Sequence, residues 1–148
     1  MDENTATEAV IPDGYFAVSL GEGFGDSFGN IYKKAIGEKY LLGFRVLAKH
    51  LNHTGACHGA SIALFADMQL MAVKHQTPYV GQHMPTKNLN IDYIAPIGPN
   101  AWVEMDVDLV RMTRTTMFSQ ALMRVNGKVA VRATASYHIP QQTKPLGD

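Results

Sequence analysis

The sequence predicts an α+β fold in which one long, mostly apolar helix is wrapped by a curved antiparallel sheet of about five to six strands. Three observations support this prediction. Apolar residues cover most of the circumference of a helix that begins near residue 60, so other elements must surround it. One or two strand-like segments precede that helix. Four more follow it without a helical pattern between them, as in an antiparallel sheet.

The elements before the helix are a strand and a turn. Every second residue from 40 to 48 is apolar, which predicts a strand over residues 39–51. The sequence Asn52-His53-Thr54-Gly55 that follows is typical of a turn. Residues 14–29 mix aromatic side chains with many glycines, so they are assigned only irregular or partly helical structure.

The central helix is predicted over residues 60–73, a run that is too short to span a bilayer comfortably. Strand-like composition then covers residues 84–94, 101–111, 116–125 and 128–139. Asn126-Gly127 favours the positive φ angles of a type I′ turn, which joins the last two strands. A stretch rich in proline and glycine at 96–100 separates the first pair, so the four strands are expected to form a meander.

Length and composition indicate a single globular domain over residues 13–139, with tails at 1–12 and 140–148. The chain has 148 residues, of which 46% are hydrophobic and 18% charged, as in globular proteins. Thirteen basic and thirteen acidic residues cancel, which argues against nucleic acid or an anionic membrane as a partner. A lone cysteine and the lack of a secretory signal pattern predict a reducing, cytoplasmic setting.

Asp67 is the most unusual residue of the predicted helix, because its neighbours in the sequence are apolar and burying an unpaired carboxylate is costly. No basic residue lies three or four positions away to pair with it on the helix surface. Two interpretations follow from the residues alone. In the first, Asp67 has a structural role only: it lies on a narrow solvent-exposed stripe, or it bonds to a strand hydroxyl for packing. In the second, Asp67 is a functional carboxylate that faces a cleft.

The start of the helix is the second candidate site. Cys57-His58-Gly59 directly precedes the apolar run, which places the Gly59 N–H among the unpaired donors of a helix N-terminus. A donor of this kind stabilises the negative charge that develops on a carbonyl oxygen under attack. An ordinary glycine near a helix start remains the alternative interpretation.

Other chemistry finds less support in the sequence. Asn52 can orient water or a carbonyl through its amide, yet it is also a common turn residue. His58 is a possible base or a structural group at the helix start. The histidines at 50, 53 and 58 show no familiar metal-ligand spacing, so no metal is predicted. The chain contains no phosphate-binding glycine motif and no nucleophile elbow, and nothing in the sequence indicates a reactive Cys57.

Three segments in this order resemble the hotdog-fold thioesterases of the phenylacetate-degradation type. That family typically shows N-x-x-G-x-x-H-G-G, a carboxylate two turns into the helix, and a strand similar to N-I-x-Y-x-x-P. The corresponding segments here are Asn52-His53-Thr54-Gly55-Ala56-Cys57-His58-Gly59-Ala60, Leu64-Phe65-Ala66-Asp67, and Thr86-Lys87-Asn88-Leu89-Asn90-Ile91-Asp92-Tyr93-Ile94-Ala95-Pro96. The resemblance covers roughly residues 38–139 and implies a hotdog fold for this chain.

The resemblance also implies roles for individual residues. Asp67 would be the general base or nucleophile, and the Gly59 N–H would polarise the thioester carbonyl. Asn52 would place substrate or water, and Thr86 would assist the carboxylate. The chain departs from the family pattern at Ala60, where a second glycine is usual, which narrows the space beside the helix start.

The same resemblance implies an acyl-CoA substrate, no cofactor, and a homodimer that often pairs again into a dimer of dimers. Each active site would be assembled across the dimer interface, with Asp67 acting on a thioester polarised by the partner's Gly59, and with His58 and Ala60 among the substrate-binding residues. CoA phosphates would be met by surface bases, for which the candidates are Lys87, Arg111, Arg114 and Arg132.

Two other functions remain open at this point. A hotdog dehydratase or hydratase pairs a helix carboxylate with a catalytic histidine, for which His58 is the candidate here. A non-catalytic module for acyl or aromatic ligands would use the eight methionines to line an adaptable apolar pocket.

Overall fold

The computed structural model describes residues 10–141, so most of both predicted tails lies outside the described residues. Seven strands form one antiparallel sheet in the order β1-β2-β3-β5-β6-β7-β4. The strands are β1 (Phe16–Val18), β2 (Ile31–Ile36), β3 (Lys39–Arg45), β4 (Thr86–Tyr93), β5 (Trp102–Met112), β6 (Thr116–Val125) and β7 (Lys128–His138). The helices are α1 (Phe24–Phe28), α2 (Gly59–Asp67) and α3 (Leu70–Val73), with short 3-10 turns at Ala48–His50 and Lys74–Gln76.

The predicted count of about five to six strands is too low, because β1 and β2 form an additional hairpin at the β3 side of the sheet. Strands β1 and β2 pair with each other, and β2 pairs with β3. β1 has only three residues and β2 contains two adjacent lysines, so neither shows a clear alternation of apolar and polar residues. The rings of Tyr15 and Tyr32 attach this addition by packing on Trp102, at 5.0 and 5.5 Å between centroids.

The predicted four-stranded meander is wrong in one strand. β5, β6 and β7 do form a meander, whereas β4 pairs with β7 at the edge of the sheet. The connection from β4 to β5 therefore crosses the sheet instead of forming a hairpin. Ile97 in this connection is buried, and its carbonyl accepts the Cys57 N–H at 2.7 Å, so the crossing segment is fixed beneath the helix start.

The strand predicted over 39–51 ends earlier, at Arg45. His50 explains the change of direction, since its Nδ1 accepts the Leu47 N–H at 2.9 Å and its Nε2 lies 2.7 Å from the Phe28 carbonyl oxygen. The predicted type I′ turn is confirmed, because Asn126 and Gly127 both have positive φ.

The helical region packs across the inner face of the sheet and is broken near its middle. α2 ends at Asp67, and α3 resumes at Leu70. Gln69 lies in the break and is fully buried; its amide nitrogen donates to the Ala66 carbonyl at 3.0 Å, and its amide oxygen accepts from the Ser119 hydroxyl at 2.8 Å. A buried amide with both ends bonded to the protein fixes where the helix stops.

We expect Gln69→Ala to lower the free energy of unfolding by about 2 kcal/mol, because it leaves the buried Ser119 hydroxyl without its acceptor. Urea unfolding measures this change. Gln120→Ala removes an amide from an exposed position on β6 and is expected to change stability by less than about 0.5 kcal/mol. Equal losses in the two variants would contradict the assigned role of Gln69.

Across residues 10–141, no helix combines the length and the apolar composition that a bilayer crossing requires.

Candidate active site

Asp67 is the last residue of α2 and is partly buried. The Thr86 hydroxyl, at the start of β4, donates a hydrogen bond to Asp67 Oδ1 at 2.7 Å. The Tyr137 hydroxyl donates to the Asp67 backbone carbonyl at 2.8 Å. Burial raises the pKa of Tyr137, and the nearby Asp67 carboxylate raises it further, so this hydroxyl stays protonated as a donor. Asp67 is therefore held from two strands at the point where the helix breaks.

The opposite end of α2 carries one free backbone donor. His58 caps the helix, because its Nδ1 accepts the Ala60 N–H at 2.9 Å. The His58 carbonyl also accepts the N–H groups of Ser61 and Ile62, at 2.9 and 3.1 Å. Among the described residues, no acceptor takes the Gly59 N–H. This N–H, at the positive end of the helix dipole, is available to a ligand oxygen.

A cavity of about 530 Å³ runs along one face of α2. The helix contributes Ala60, Ala63 and Leu64 to its lining, followed by Asp67 at the far end. These positions recur at intervals of three and four, so they share a single face of the helix. Thr86 and Leu89 of β4 form the adjacent side. The carboxylate and the hydroxyl are the polar side chains of an otherwise apolar lining.

Sequence comparison identifies the family of the chain that carries these residues. The sequence model described as "Thioesterase superfamily" matches residues 54–137, which is more than half of the chain and contains Gly59, Asp67 and Thr86. The chain belongs to the thioesterase superfamily. This confirms the resemblance inferred from the three sequence segments, and with it the expectation of a thioesterase. A comparison with curated proteins gave no match.

Solved structures support the hotdog fold of this thioesterase. A mutant of the phenylacetic acid degradation protein PaaI from Thermus thermophilus has a TM-score of 0.67 at 21% identity, covering 79% of this chain and 98% of that one. Zebra fish thioesterase superfamily member 2 has a TM-score of 0.69 at 19% identity, covering 82% and 90%. A hypothetical thioesterase from Streptococcus pneumoniae, solved with coenzyme A, has a TM-score of 0.67 at 18% identity, covering 79% and 94%.

The Asn52 side chain in this thioesterase is already used by the turn. Its Oδ1 accepts from the Thr54 N–H at 2.9 Å, the Thr54 hydroxyl at 2.7 Å and the Ala56 N–H at 3.2 Å. The amide oxygen thus shapes the loop before the cap, as in other Asx turns. The side-chain nitrogen of Asn52 is the part left to contact a substrate.

Three of the four predicted basic residues lie at the Asp67 end of the sheet. Lys87 follows Thr86 directly, and its ammonium donates to the Thr116 hydroxyl at 2.8 Å. Arg111 lies near the end of β5, and Arg114 lies in the turn that leads to Thr116 at the start of β6. Arg132 pairs with Asp92 at 2.8 Å, towards the other end of β4, so its guanidinium already has a counter-ion.

Cys57 is unsuited to act as a nucleophile. It is buried, and desolvation raises the pKa of its thiol to about 11, so the thiol stays protonated at neutral pH. Within the described part of the chain, no three His, Cys, Asp or Glu side chains come together as a metal site.

With Asp67 as the catalytic carboxylate that the family resemblance implies, we expect Thr86→Val to lower kcat roughly tenfold, because this carboxylate loses the hydrogen bond that orients it while the side-chain volume is kept. Thr134→Val on the outer face of β7 is the matched control and is expected to leave kcat unchanged. Steady-state kinetics with an acyl-CoA would compare the two, and equal kcat values would contradict the role of Thr86.

The sequence did not point to several residues of the site. Tyr137 supports Asp67, and the Tyr93 hydroxyl donates to the Gly59 carbonyl at 2.8 Å. Leu20, Phe24 and Gly25 complete the cavity from residues 14–29, whose sequence predicts only irregular or partly helical structure. The tyrosine in the N-I-x-Y segment was a usable signal for Tyr93, whereas the other contacts depend on tertiary structure.

Proposed function

We propose that this thioesterase hydrolyses acyl-CoA to a free acid and CoA, with Asp67 as the catalytic carboxylate. The observation that carries the proposal is the Asp67–Thr86 hydrogen bond at the end of an apolar cavity. An oriented carboxylate beside an apolar cleft suits the activation of water, or direct attack, at a carbonyl whose acyl chain lies in the cleft. The bound coenzyme A of the Streptococcus pneumoniae thioesterase agrees with CoA as the thiol half of the substrate.

The general-base route needs only groups of the protein and one water molecule. Asp67 takes a proton from the water, whose oxygen forms a bond to the thioester carbon. The carbonyl oxygen becomes negative and accepts the Gly59 N–H. The C–S bond then breaks, the proton held by Asp67 passes to the CoA sulfur, and the free acid forms as the Asp67 carboxylate is regenerated.

The nucleophilic route has Asp67 attack the thioester carbon and release CoA, after which water hydrolyses the mixed anhydride. A single turnover in oxygen-18 water tests the nucleophilic route. Label in the Asp67 carboxylate supports the anhydride, because water that attacks the thioester directly never enters Asp67, whereas label in the product acid alone supports attack of water at the acyl carbon.

The two catalytic groups are proposed to come from different chains. Gly59 and Asp67 are the first and last residues of the nine-residue helix α2. Their separation along the helix is about 12 Å, since each residue rises about 1.5 Å. One thioester carbonyl cannot lie within hydrogen-bond distance of both ends. A second copy that brings the partner's Gly59 to Asp67 completes the site.

Strand β4 offers an edge for such a dimer. It pairs on one side with β7, and most of its residues are exposed. Tyr93 and Ile94 at its end are 54% and 56% exposed, which leaves an apolar patch beside the free edge. We propose that two copies join their sheets at β4 and that dimers pair again into tetramers. Light scattering should give two or four times the mass of the chain, and a monomer would contradict this assembly.

The CoA phosphates are proposed to contact Lys87, Arg111 and Arg114, which lie at the same end of the sheet as Asp67. No metal or redox cofactor takes part in the proposed reaction. A hydratase role for His58 is less consistent with the site, because its Nδ1 is engaged as the helix cap.

A thiol-release assay tests the proposed function across short, medium, long and aryl-acyl CoA thioesters. We expect the wild-type protein to release CoA from at least one class and Asp67→Ala to release none above background. Enoyl-CoA absorbance, followed in parallel, tests the hydratase alternative. Flat signals from both proteins across the whole series would defeat the thioesterase assignment for these substrates.

A further inference from the structure

Three residues before the matched family region close one side of the cavity. Leu20, Phe24 and Gly25, here called the N-terminal wall, line it together with the face of α2. They lie well outside residues 54–137, to which the superfamily model corresponds. The wall therefore comes from a part of the chain that the superfamily model does not describe.

Helix α1 holds the wall in place through its last residue. Phe28 is buried, its ring lies 5.0 Å from Phe44 and 4.5 Å from His50, and its carbonyl is bonded to His50. Phe24, one turn earlier, is 81% exposed although it lines the cavity. An anchored helix thus presents an unburied aromatic ring to the site, which is a surface that an apolar ligand group would cover.

Gly25 sets the close packing of the wall. A Cβ atom at this position would lie 2.7 Å from Leu20 Cβ, so only glycine lets the Leu20 side chain rest against the helix. Leu20 and Phe24 consequently form one continuous apolar surface beside Ala60 and Leu64.

The charge of the lining restricts what can lie against this surface. Asp67 is the one ionisable side chain that lines the cavity among the described residues, and no basic side chain contributes to it there. A negatively charged acyl terminus would lose its hydration without gaining a counter-ion, and Asp67 would repel it.

We propose that the N-terminal wall is the specificity-determining part of the site and that it selects uncharged, apolar acyl groups of medium length or with an aromatic ring. The inference rests on the proposed acyl-CoA hydrolysis and names its substrate class. The groove extends about 10 Å along the helix from Ala60 to Asp67, given the rise per residue of an α-helix. A chain of this class fills the groove and covers Phe24, whereas an acetyl group buries little of the wall.

Hydrolysis of a matched pair of substrates tests the wall directly. Phe24→Ala is expected to lower the ratio of kcat/KM for octanoyl-CoA to that for acetyl-CoA roughly tenfold, because the longer chain loses an apolar partner. Phe16→Ala removes the same ring from an exposed position on β1 outside the cavity, and the ratio should stay at the wild-type value. An unchanged ratio in Phe24→Ala would overturn the proposal.

Ligand binding separates this proposal from the hydrolysis itself. S-octyl-CoA and S-ethyl-CoA have no thioester to cleave. Titration calorimetry with these two thioethers therefore measures how much the N-terminal wall contributes to affinity, even in a protein without turnover. We expect wild type to bind S-octyl-CoA at least roughly tenfold more tightly than S-ethyl-CoA, and Phe24→Ala to lose most of this difference. Selective binding of S-octyl-CoA without any hydrolysis of acyl-CoA would support selection by the N-terminal wall and refute the proposed hydrolysis. Equal binding of both thioethers by wild type would refute the wall.

A substrate with a charged acyl group tests the proposed selection for uncharged chains. Glutaryl-CoA should be hydrolysed with a kcat/KM at least roughly 100-fold below that of hexanoyl-CoA, because its terminal carboxylate has no partner in the lining. Comparable rates for the two substrates would show that another group accepts the charge, and would overturn the selection for uncharged chains.

Discussion

Asp67→Asn is expected to lower kcat for acyl-CoA hydrolysis roughly 1,000-fold while leaving the affinity for an S-alkyl-CoA thioether unchanged within about twofold. The asparagine oxygen can still accept the Thr86 hydrogen bond, so the side chain keeps its place. What it loses is the ability to take a proton or to attack a carbonyl. Steady-state kinetics measure the first effect, and titration calorimetry measures the second.

Protein stability distinguishes this result from simple unfolding. Asp67 lies at the C-terminal end of α2, where a negative charge meets the negative end of the helix dipole. Its neutralisation should therefore leave the melting temperature unchanged or slightly raised. Asp13→Asn, at an exposed position, is the control and should retain wild-type kcat. Turnover in Asp67→Asn within about tenfold of wild type would mean that another group activates the nucleophile.

Gly59→Pro is expected to lower kcat roughly 100-fold to 1,000-fold, because proline removes the backbone N–H that has no acceptor among the described residues and that is proposed to bind the developing oxyanion. The substitution suits the position in other respects. Gly59 is the first residue of α2, where proline is well tolerated, and His58 before it already has extended backbone angles (φ −64°, ψ 136°). Kinetics with the preferred acyl-CoA, alongside thermal unfolding, would test the effect.

Gly59→Ala is the matched control, since alanine keeps the N–H. A Cβ atom there would meet the Tyr93 ring at 3.5 Å, which is an ordinary van der Waals contact. We expect kcat in Gly59→Ala to remain within about fivefold of wild type, because the donor itself is retained. Similar losses in both variants would indicate that the absence of a side chain, and not the N–H, is what matters.

Local sequence patterns predicted the elements whose stability depends on local alternation or turn chemistry. β6 spans the predicted residues 116–125, and Asn126-Gly127 forms the expected turn. The position of β4 at the sheet edge was beyond such patterns, because strand order depends on where the buried Ile97 connection crosses the sheet. The break in the helix likewise depends on Gln69 meeting Ser119, a residue fifty positions away.

The residues of the candidate site likewise fall into those that the sequence could predict and those that depend on tertiary structure. Asp67, Gly59 and Thr86 stood out because their types and spacing match a family pattern, and the structure brings Thr86 to Asp67. For two other predicted site residues the structure shows a structural role: the His58 side chain caps α2, and the Asn52 side-chain oxygen accepts hydrogen bonds within its own loop. Phe24 could not be recognised from the sequence, because an exposed aromatic residue among glycines gains meaning only from the cavity beside it.

A heterodimer of two inactive variants tests most directly whether catalysis needs groups from two chains. Asp67→Asn and Gly59→Pro chains, carrying different affinity tags, can be co-expressed and their mixed dimer isolated through both tags. One of its two sites then combines an intact Asp67 with an intact Gly59 from the other chain. The shared site predicts about half of the wild-type activity per dimer, because a two-fold dimer has two equivalent sites. A heterodimer no more active than its two parent variants would contradict it.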